Sequence, residues 1–146
     1  MHDFLLPPIN YLEPKDLDLD SNKINNENIR QGFCCIYATW CGHCKNLMPE
    51  YQKFAEQNNE KIKKNINCYA IQADSSQWND TGHLKKIMNI AKVGGYPCFI
   101  LIDKQGSLKT GRVDLYNLNI SDRTAEGLQK IEKELTDNAG VFEYLK

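Results

Sequence analysis

The sequence has no apolar run long enough to cross a membrane and no excess of either charge. Its 146 residues include 18 lysines and arginines and 19 aspartates and glutamates. A membrane-spanning helix needs about 20 largely apolar residues, and the sequence has no such run. Binding to nucleic acid usually draws on a basic excess, which is missing as well. We therefore expect no membrane segment and no nucleic-acid partner.

The first 20 residues lack the features of a secretory signal. They have no basic start, and Pro7 and Pro8 interrupt their short apolar patch. We therefore expect a cytoplasmic location, while an oxidising compartment stays open as an alternative. The length suits one domain, so we expect residues 1–146 to form a single monomeric domain in which residues 1–10 are flexible.

The sequence also lacks a second Cys-x-x-C pair beside the one at Cys41 and Cys44. Zinc sites commonly combine two such pairs, or one pair with spaced histidines, so we expect no metal site. No motif indicates any other cofactor. A structural disulfide between these two cysteines would close a very short loop and gain little from chain entropy. The other four cysteines lie in apolar segments and are expected to be buried: Cys34, Cys35, Cys68 and Cys98.

The Cys-x-x-C pair lies where a predicted strand runs into a predicted helix. Residues 33–38, FCCIYA, form a continuous apolar run, which is typical of a strand covered on both faces. Apolar residues then recur at helical spacing up to Phe54, with Pro49 inside the helix, where we expect a kink. Cys41 would therefore lie at the helix N-terminus, where free amides and the helix dipole lower the pKa of a thiol.

This placement predicts a redox pair with two roles. Cys41 would be an exposed attacking thiol, and Cys44, one turn later, a sheltered thiol that resolves the mixed disulfide. His43 lies between them, and as an imidazolium it would favour the thiolate of Cys41. Stabilising the dithiol form makes the disulfide a better oxidant.

Further along the chain, strand and helix patterns alternate. We predict strands at 67–73 and 98–102, a returning antiparallel strand at 107–115, and a last helix that buries Leu128. A helix between the strands at 67–73 and 98–102 would start at Asp80 or Thr81 and end at Gly94 and Gly95. In the N-terminal region we predict an edge strand at 9–12 and a short polar helix at 23–30. This order is typical of an α/β fold with a mixed central sheet.

Three segments resemble protein disulfide isomerase domains of the thioredoxin superfamily. WCGHCKNLMPEY is similar to their active-site segment, GGYPCFILID to the loop that carries a cis-proline, and RTAEGLQKIEKEL to their last helix. The resemblance covers about residues 30–136. It implies the thioredoxin fold, with three α/β/α layers around a mixed sheet.

The resemblance also implies roles for individual residues. Cys41 would attack protein disulfides or thiols, Cys44 would resolve the intermediate, and His43 would assist. Arg123 aligns with an arginine that can swing toward the resolving cysteine, although a solvated charge at the start of a helix is an equal alternative. An unidentified redox partner would recycle the pair. Substrate would contact the rest of the motif and the proline loop, where Pro97 would be cis: Trp40, Gly42, Tyr96 and Pro97.

Two positions depart from the family pattern. Cys35, six residues before Cys41, stands where the family has a buried acid, and Gln72 stands where we place its lysine partner. A buried charge without its partner is costly, whereas two neutral residues are compatible. The change casts doubt on fast proton removal from Cys44. We therefore keep a second hypothesis, a non-catalytic interaction module that binds protein through Tyr96 and Pro97. The sequence leaves the direction of electron flow open.

Overall fold

The computed structural model describes residues 5–18, 23–24, 29–60, 66–79, 82–104 and 113–137. Its strands are β1 (Asn10–Tyr11), β2 (Leu17–Asp18), β3 (Lys23–Ile24), β4 (Gly32–Tyr37), β5 (Asn67–Gln72), β6 (Cys98–Lys104) and β7 (Val113–Asn117). Its helices are α1 (Gly42–Asn59), α2 (Ser76–Asn79), α3 (His83–Ala91) and α4 (Ala125–Asp137), with a short 3-10 turn at Pro14–Asp16.

Five strands form the central sheet, in the order β1-β5-β4-β6-β7. The central strand β4 pairs parallel with β5 and antiparallel with β6, which confirms the predicted mixed sheet. Every residue of β4 is buried, because the sheet is covered on both faces and this apolar run has no polar side to expose. Strands β2 and β3 form a separate antiparallel pair.

Alternate residues of β4 enter two different cores. Phe33 and Cys35 join a core that includes Leu128 of α4 and much of α1. Cys34 joins the opposite core, which includes Trp78 of α2. The sheet therefore lies between α1 and α4 on one side and α2 and α3 on the other, and the predicted three-layer arrangement is confirmed. None of the described helices is long and apolar enough to cross a bilayer.

The boundaries of α3 differ from the prediction. The helix has Gly82 as its N-cap and Lys92 as its C-cap, and Lys92 takes the left-handed conformation at φ 59°. The predicted stop at Gly94 and Gly95 is therefore wrong, since the helix ends before them. The candidate caps Asp80 and Thr81 lie outside the described residues.

Strand β7 runs antiparallel to β6, as predicted. Its described residues are Val113–Asn117, and the predicted residues 107–112 lie outside the described ranges.

The N-terminal region was predicted least well. The polar helix at 23–30 is wrong at Lys23–Ile24, which form strand β3, while 25–28 are not described. The edge strand is confirmed, because β1 pairs with β5.

Residues 5–9 make tertiary contacts, while the predicted flexibility of residues 1–10 stays a prediction. Leu5 and Ile9 are buried in the core of α1 and α4. The side-chain amide of Gln52 accepts the N–H of Leu6 at 2.8 Å and donates to the Leu6 carbonyl oxygen at 3.0 Å. These contacts between distant parts of the chain fix the segment. Residues 1–4 lie outside the description.

Candidate active site

Cys41 is the N-cap residue of α1, as the strand-to-helix pattern predicted. Its backbone is extended, at φ −88° and ψ 120°, and the helix begins at Gly42. Its Sγ accepts the backbone N–H of Cys44 at 3.3 Å. The sulfur therefore lies among the free backbone amides at the start of the helix.

The two thiols are less accessible than the sequence suggested. Cys41 is 7% exposed and Cys44 is 0% exposed, so the attacking cysteine is buried rather than exposed. Burial, followed by the side-chain hydrogen bond with Cys41, raises the pKa of Cys44 to about 12. Cys44 is therefore the more enclosed thiol of the pair and holds its proton at neutral pH.

The proline loop lies directly against Cys41. The peptide bond between Tyr96 and Pro97 is cis, as predicted, and Pro97 is buried. The Sγ of Cys41 lies 3.5 Å from the carbonyl oxygen of Tyr96, with geometry that allows the thiol to donate. The loop therefore supplies backbone at the candidate nucleophile, where the resemblance placed it.

Two aromatic rings form the rim of the site. The Trp40 side chain is 69% exposed. Its ring meets that of Tyr96 edge-on, with 5.9 Å between centroids and an interplanar angle of 76°. Edge-to-face pairs of this kind are favourable and give an apolar surface of defined shape. Gly42 and His43 in the first turn of α1 are both exposed, so the rim has apolar and polar parts.

Thr39 and Asp74 form a clamp that was not predicted from the sequence. The two carboxylate oxygens of Asp74 accept the backbone N–H of Thr39 at 3.2 and 3.3 Å, and one of them also accepts its hydroxyl. Partial burial raises the pKa of Asp74, but the hydrogen bonds from Thr39 outweigh it and the net pKa is lowered. The clamp holds the turn that leads into Trp40 and Cys41.

The positions of Thr39 and Asp74 in the sequence could have predicted this clamp. Thr39 follows β4 by two residues, and Asp74 follows β5 by two residues. These strands are parallel neighbours, so the ends of both lie at the same edge of the sheet. An aspartate and a threonine at such matched positions are candidates for a hydrogen bond.

Arg123 lies in the loop before α4, within electrostatic reach of the site thiols. Cys98 is only partly buried, so the prediction that it is buried is wrong. Burial raises the pKa of Cys44 and of Cys98, the latter to about 11, and the Arg123 charge lowers both. Arg123 is also exposed, so it is a solvated charge near the thiols, and its movement toward Cys44 stays a prediction.

Two contacts fix the loop that carries Arg123. The carboxylate of Glu50 in α1 accepts the N–H of Ala125 at 2.9 Å. A side chain at Gly127 would place its Cβ 2.2 Å from the carbonyl oxygen of Asp122, so only glycine allows this close approach.

The predicted pairing of Cys35 with Gln72 is wrong. On β5 the residue opposite Cys35 is Ala70, and Gln72 lies opposite Tyr37. The side chain of Gln72 hydrogen-bonds Asp74 instead. The predicted partner, Gln72, is two residues away from the observed one, because the sequence pattern does not show strand register. The position facing Cys35 is therefore a small apolar residue rather than an amide.

Cys35 itself is deeply buried, at 1% exposure. Burial raises its pKa well above the usual value, and the neighbouring thiols, Cys44 among them, raise it further. A thiol in this state is a poor base near neutral pH. Within the described ranges, we find no group of three or more His, Cys, Asp or Glu side chains arranged to hold a metal ion.

The chain matches a family model and several known proteins. The sequence model of the thioredoxin family matches residues 21–117. Protein disulfide-isomerase like 2-2 from Arabidopsis thaliana is 32% identical over 110 residues, which are 74% of this chain and 20% of that protein. Human protein disulfide-isomerase A6 is 35% identical over 66 residues, which are 45% of this chain and 14% of that protein. The chain thus spans only a small part of these relatives.

Solved structures show the same fold. Full-length ERdj5 superposes with a TM-score of 0.61 at 17% identity, over 92% of this chain and 17% of that one. The first thioredoxin domain of mouse protein disulfide-isomerase A4 superposes with a TM-score of 0.53 at 25% identity, over 75% of this chain and 65% of that one. The chain belongs to the thioredoxin family and is a domain similar to those of the protein disulfide isomerases.

Proposed function

We propose that the chain is a thiol–disulfide oxidoreductase of the protein disulfide isomerase type, with protein disulfides and thiols as substrates. The observation that carries this proposal is the position of the Cys41 sulfur. It lies at the start of α1, accepts the N–H of Cys44, and is 3.5 Å from the carbonyl oxygen of Tyr96. A nucleophilic sulfur needs backbone donors beside it and a nearby surface for substrate, and the Cys44 N–H and the proline loop support both requirements.

Reduction of a substrate disulfide would proceed in two exchanges. The thiolate of Cys41 attacks one sulfur of the substrate, a mixed disulfide forms, and the other substrate sulfur leaves as a thiolate that takes up a proton. Cys44 then loses its proton and attacks Cys41. The Cys41–Cys44 disulfide forms, the substrate leaves with its second thiolate, and two electrons have passed to the substrate. Oxidation of a dithiol follows the same steps in reverse.

The neighbouring residues have separate roles in this scheme. Trp40, Gly42, Tyr96 and Pro97 would contact the substrate, and His43 would favour the charged form of Cys41. The high pKa of Cys44, about 12, makes its deprotonation the difficult step. The Arg123 charge opposes that barrier, because it lowers the pKa of Cys44.

Insulin reduction tests the proposal. The parent chain should accelerate insulin reduction by a dithiol reductant, and Cys41→Ser should abolish the effect. Cys44→Ser should accumulate a mixed disulfide between Cys41 and insulin, seen as a larger species on a non-reducing gel. Alkylation near neutral pH should label Cys41 before Cys44. Preferential labelling of Cys44 would reverse the two roles.

One observation favours a second candidate, a non-catalytic module that binds protein through the rim of Trp40, Tyr96 and Pro97. Cys35 and Ala70 occupy positions with no charge to accept the proton of Cys44. A chain of this kind would bind unfolded protein but leave insulin unreduced. The insulin assay therefore separates the two candidates.

Three expectations from the sequence stay proposals: a monomeric chain, a cytoplasmic location, and a separate redox partner that recycles the pair. Sedimentation tests the first, and localisation of the tagged full-length protein tests the second. Trapping with Cys44→Ser in cells, followed by identification of the captured proteins, tests the third.

A further inference from the structure

A small cleft lies beside Pro97 on the side of the loop next to the strand β6. Its volume is about 220 Å³. It is bounded by the end of α3, the proline loop, the end of β7 and the loop before α4. Ligand pockets usually measure about 300–1,000 Å³, so this cleft has room for one side chain rather than for a whole small molecule.

The cleft is basic. Lys92 and Arg123 both line it, together with Asn117 and Asn119. Of the described residues that line it, none is acidic. The two cations come from opposite faces of the sheet: Lys92 is the C-cap of α3, and Arg123 lies in the loop just before α4. The fold therefore brings two positive charges to one recess.

Both cations are available to a ligand. Within the described part of the chain, neither Lys92 nor Arg123 forms a salt bridge. The carboxylate beside Arg123 in sequence, Asp122, is engaged by the backbone N–H of Thr124 at 3.2 Å and by its hydroxyl at 2.7 Å. Glu134 lines a larger neighbouring groove that Lys92 also borders, but it does not line this cleft.

The cleft is also close to the reacting sulfur. Pro97 lines it, and the preceding residue, Tyr96, places its carbonyl oxygen 3.5 Å from the Sγ of Cys41. An extended chain advances about 3.3–3.6 Å per residue. A residue up to three positions from a substrate cysteine at Cys41 can lie about 10 Å from it, and we expect this span to reach the cleft.

We infer that this cleft binds an acidic side chain of the protein substrate, close in sequence to the cysteine that reacts with Cys41. The inference rests on the proposed function and adds a substrate class to it. A carboxylate would accept charge-assisted hydrogen bonds from the guanidinium of Arg123 and the ammonium of Lys92. The amides of Asn117 and Asn119 supply further donors.

A matched set of peptides tests this subsite. Each peptide carries one cysteine in a mixed disulfide with a reporter thiol, and the residue one, two or three positions away is Glu, Gln or Lys. The parent chain should prefer the best-placed Glu peptide over its Gln counterpart roughly fivefold in kcat/KM, as expected for a partly exposed ion pair. The preference should lie mainly in KM and shrink in 0.5 M salt, because salt screens exposed charges.

Charge-removing variants locate the effect. Lys92→Gln and Arg123→Gln should each reduce the Glu-to-Gln ratio, and the double variant should bring it close to one. Lys53→Gln removes an exposed cation on α1 that does not line the cleft, so it should keep the parent ratio. Because Arg123 also acts on Cys44, the ratio within one variant is the measure, since any effect on the thiols cancels.

The outcomes separate this inference from the proposed function. A ratio near one in the parent chain, or a ratio unchanged in the double variant, overturns the subsite while leaving the oxidoreductase proposal intact. If no peptide is turned over, the oxidoreductase proposal fails, and the subsite is judged by binding of the same peptides with Ser in place of Cys. Equal affinity for the Glu and Gln peptides would then overturn it. If the double variant also lost turnover of oxidised glutathione to a similar extent, the cleft would instead bind the carboxylates of a small thiol.

Discussion

The sulfur of Cys41 lies 3.5 Å from the carbonyl oxygen of Tyr96, a residue 55 positions further along the chain. This carbonyl can accept a hydrogen bond from the thiol. The same sulfur accepts the backbone N–H of Cys44 at 3.3 Å. The proline loop and the first turn of α1 therefore both contact the Cys41 sulfur.

We predict that release of the mixed disulfide accelerates with pH. The pKa of Cys44 is raised to about 12, so below that pH its thiolate fraction, and with it the release rate, should rise about tenfold per pH unit. Stopped-flow measurement between pH 7 and 10, on a preformed disulfide between Cys41 and a reporter peptide, checks this. Arg123→Gln should slow release at each pH, since the Arg123 charge lowers the pKa of Cys44. A pH-independent rate would show that deprotonation of Cys44 does not limit release.

We predict that His43 makes the disulfide a stronger oxidant. His43 is the second residue of α1, so His43→Pro is compatible with the first turn of the helix. Loss of the imidazolium should lower the reduction potential by about 30 mV or more, which is a tenfold change in the equilibrium constant. His43→Gln, which removes the charge without proline, should shift it in the same direction. Unchanged potentials in both variants would remove His43 from the mechanism.

We predict that the Thr39–Asp74 clamp positions the aromatic rim. Thr39→Val and Asp74→Ala should each cost about 1 kcal/mol of stability and lower kcat/KM. Acrylamide quenching reports the local effect, because Trp40 is 69% exposed and Trp78 only 1%. Quenching should increase in both variants as the Trp40 ring leaves Tyr96.

Thr39→Ser is the control for the clamp, since it keeps the hydroxyl that Asp74 accepts. It should retain parent quenching and turnover. If Thr39→Val also retains both, the clamp has no positioning role.

We predict that Cys35 couples to Ala70 and not to Gln72. Cys35→Glu alone buries an unpaired carboxylate and should cost about 3 kcal/mol of stability. Adding Ala70→Lys should recover at least about 1 kcal/mol relative to the sum of the single changes, and speed release of the mixed disulfide. The matched control is Cys35→Glu with Gln72→Lys, where we expect less coupling. Equal coupling in the two double variants would mean that strand register does not determine the partner.

Local patterns predicted most of the layers but not the contacts between them. The apolar run 33–38 predicted the central strand, which is observed at Gly32–Tyr37. A strand that is buried on both faces is apolar at nearly every position, and this run has that pattern. The site of Cys41 at the start of α1 followed from the same junction. Strand register is different, since it depends on long-range pairing, and the sequence therefore misplaced the partner of Cys35.

The N-terminal segment shows a second limit. Residues 5–9 carry two prolines and no regular periodicity, so nothing local predicts their order. They are fixed by Gln52 of α1 and by the hydroxyl of Tyr11, which accepts the N–H of Leu5 at 2.7 Å. Similarly, Lys92 rather than a glycine ends α3 in the left-handed conformation, a choice that residue preference alone does not predict.

The reduction potential of the Cys41–Cys44 pair tests the central claim most directly. The chain would be equilibrated in glutathione buffers of known reduction potential and then alkylated to stop the exchange. Mass spectrometry would show which cysteines are oxidised in each buffer. We predict a single reversible two-electron transition at this pair, with a midpoint between roughly −270 and −180 mV, absent in Cys41→Ser. A pair that stays reduced across the whole series, or a disulfide that forms between other cysteines instead, would contradict the account.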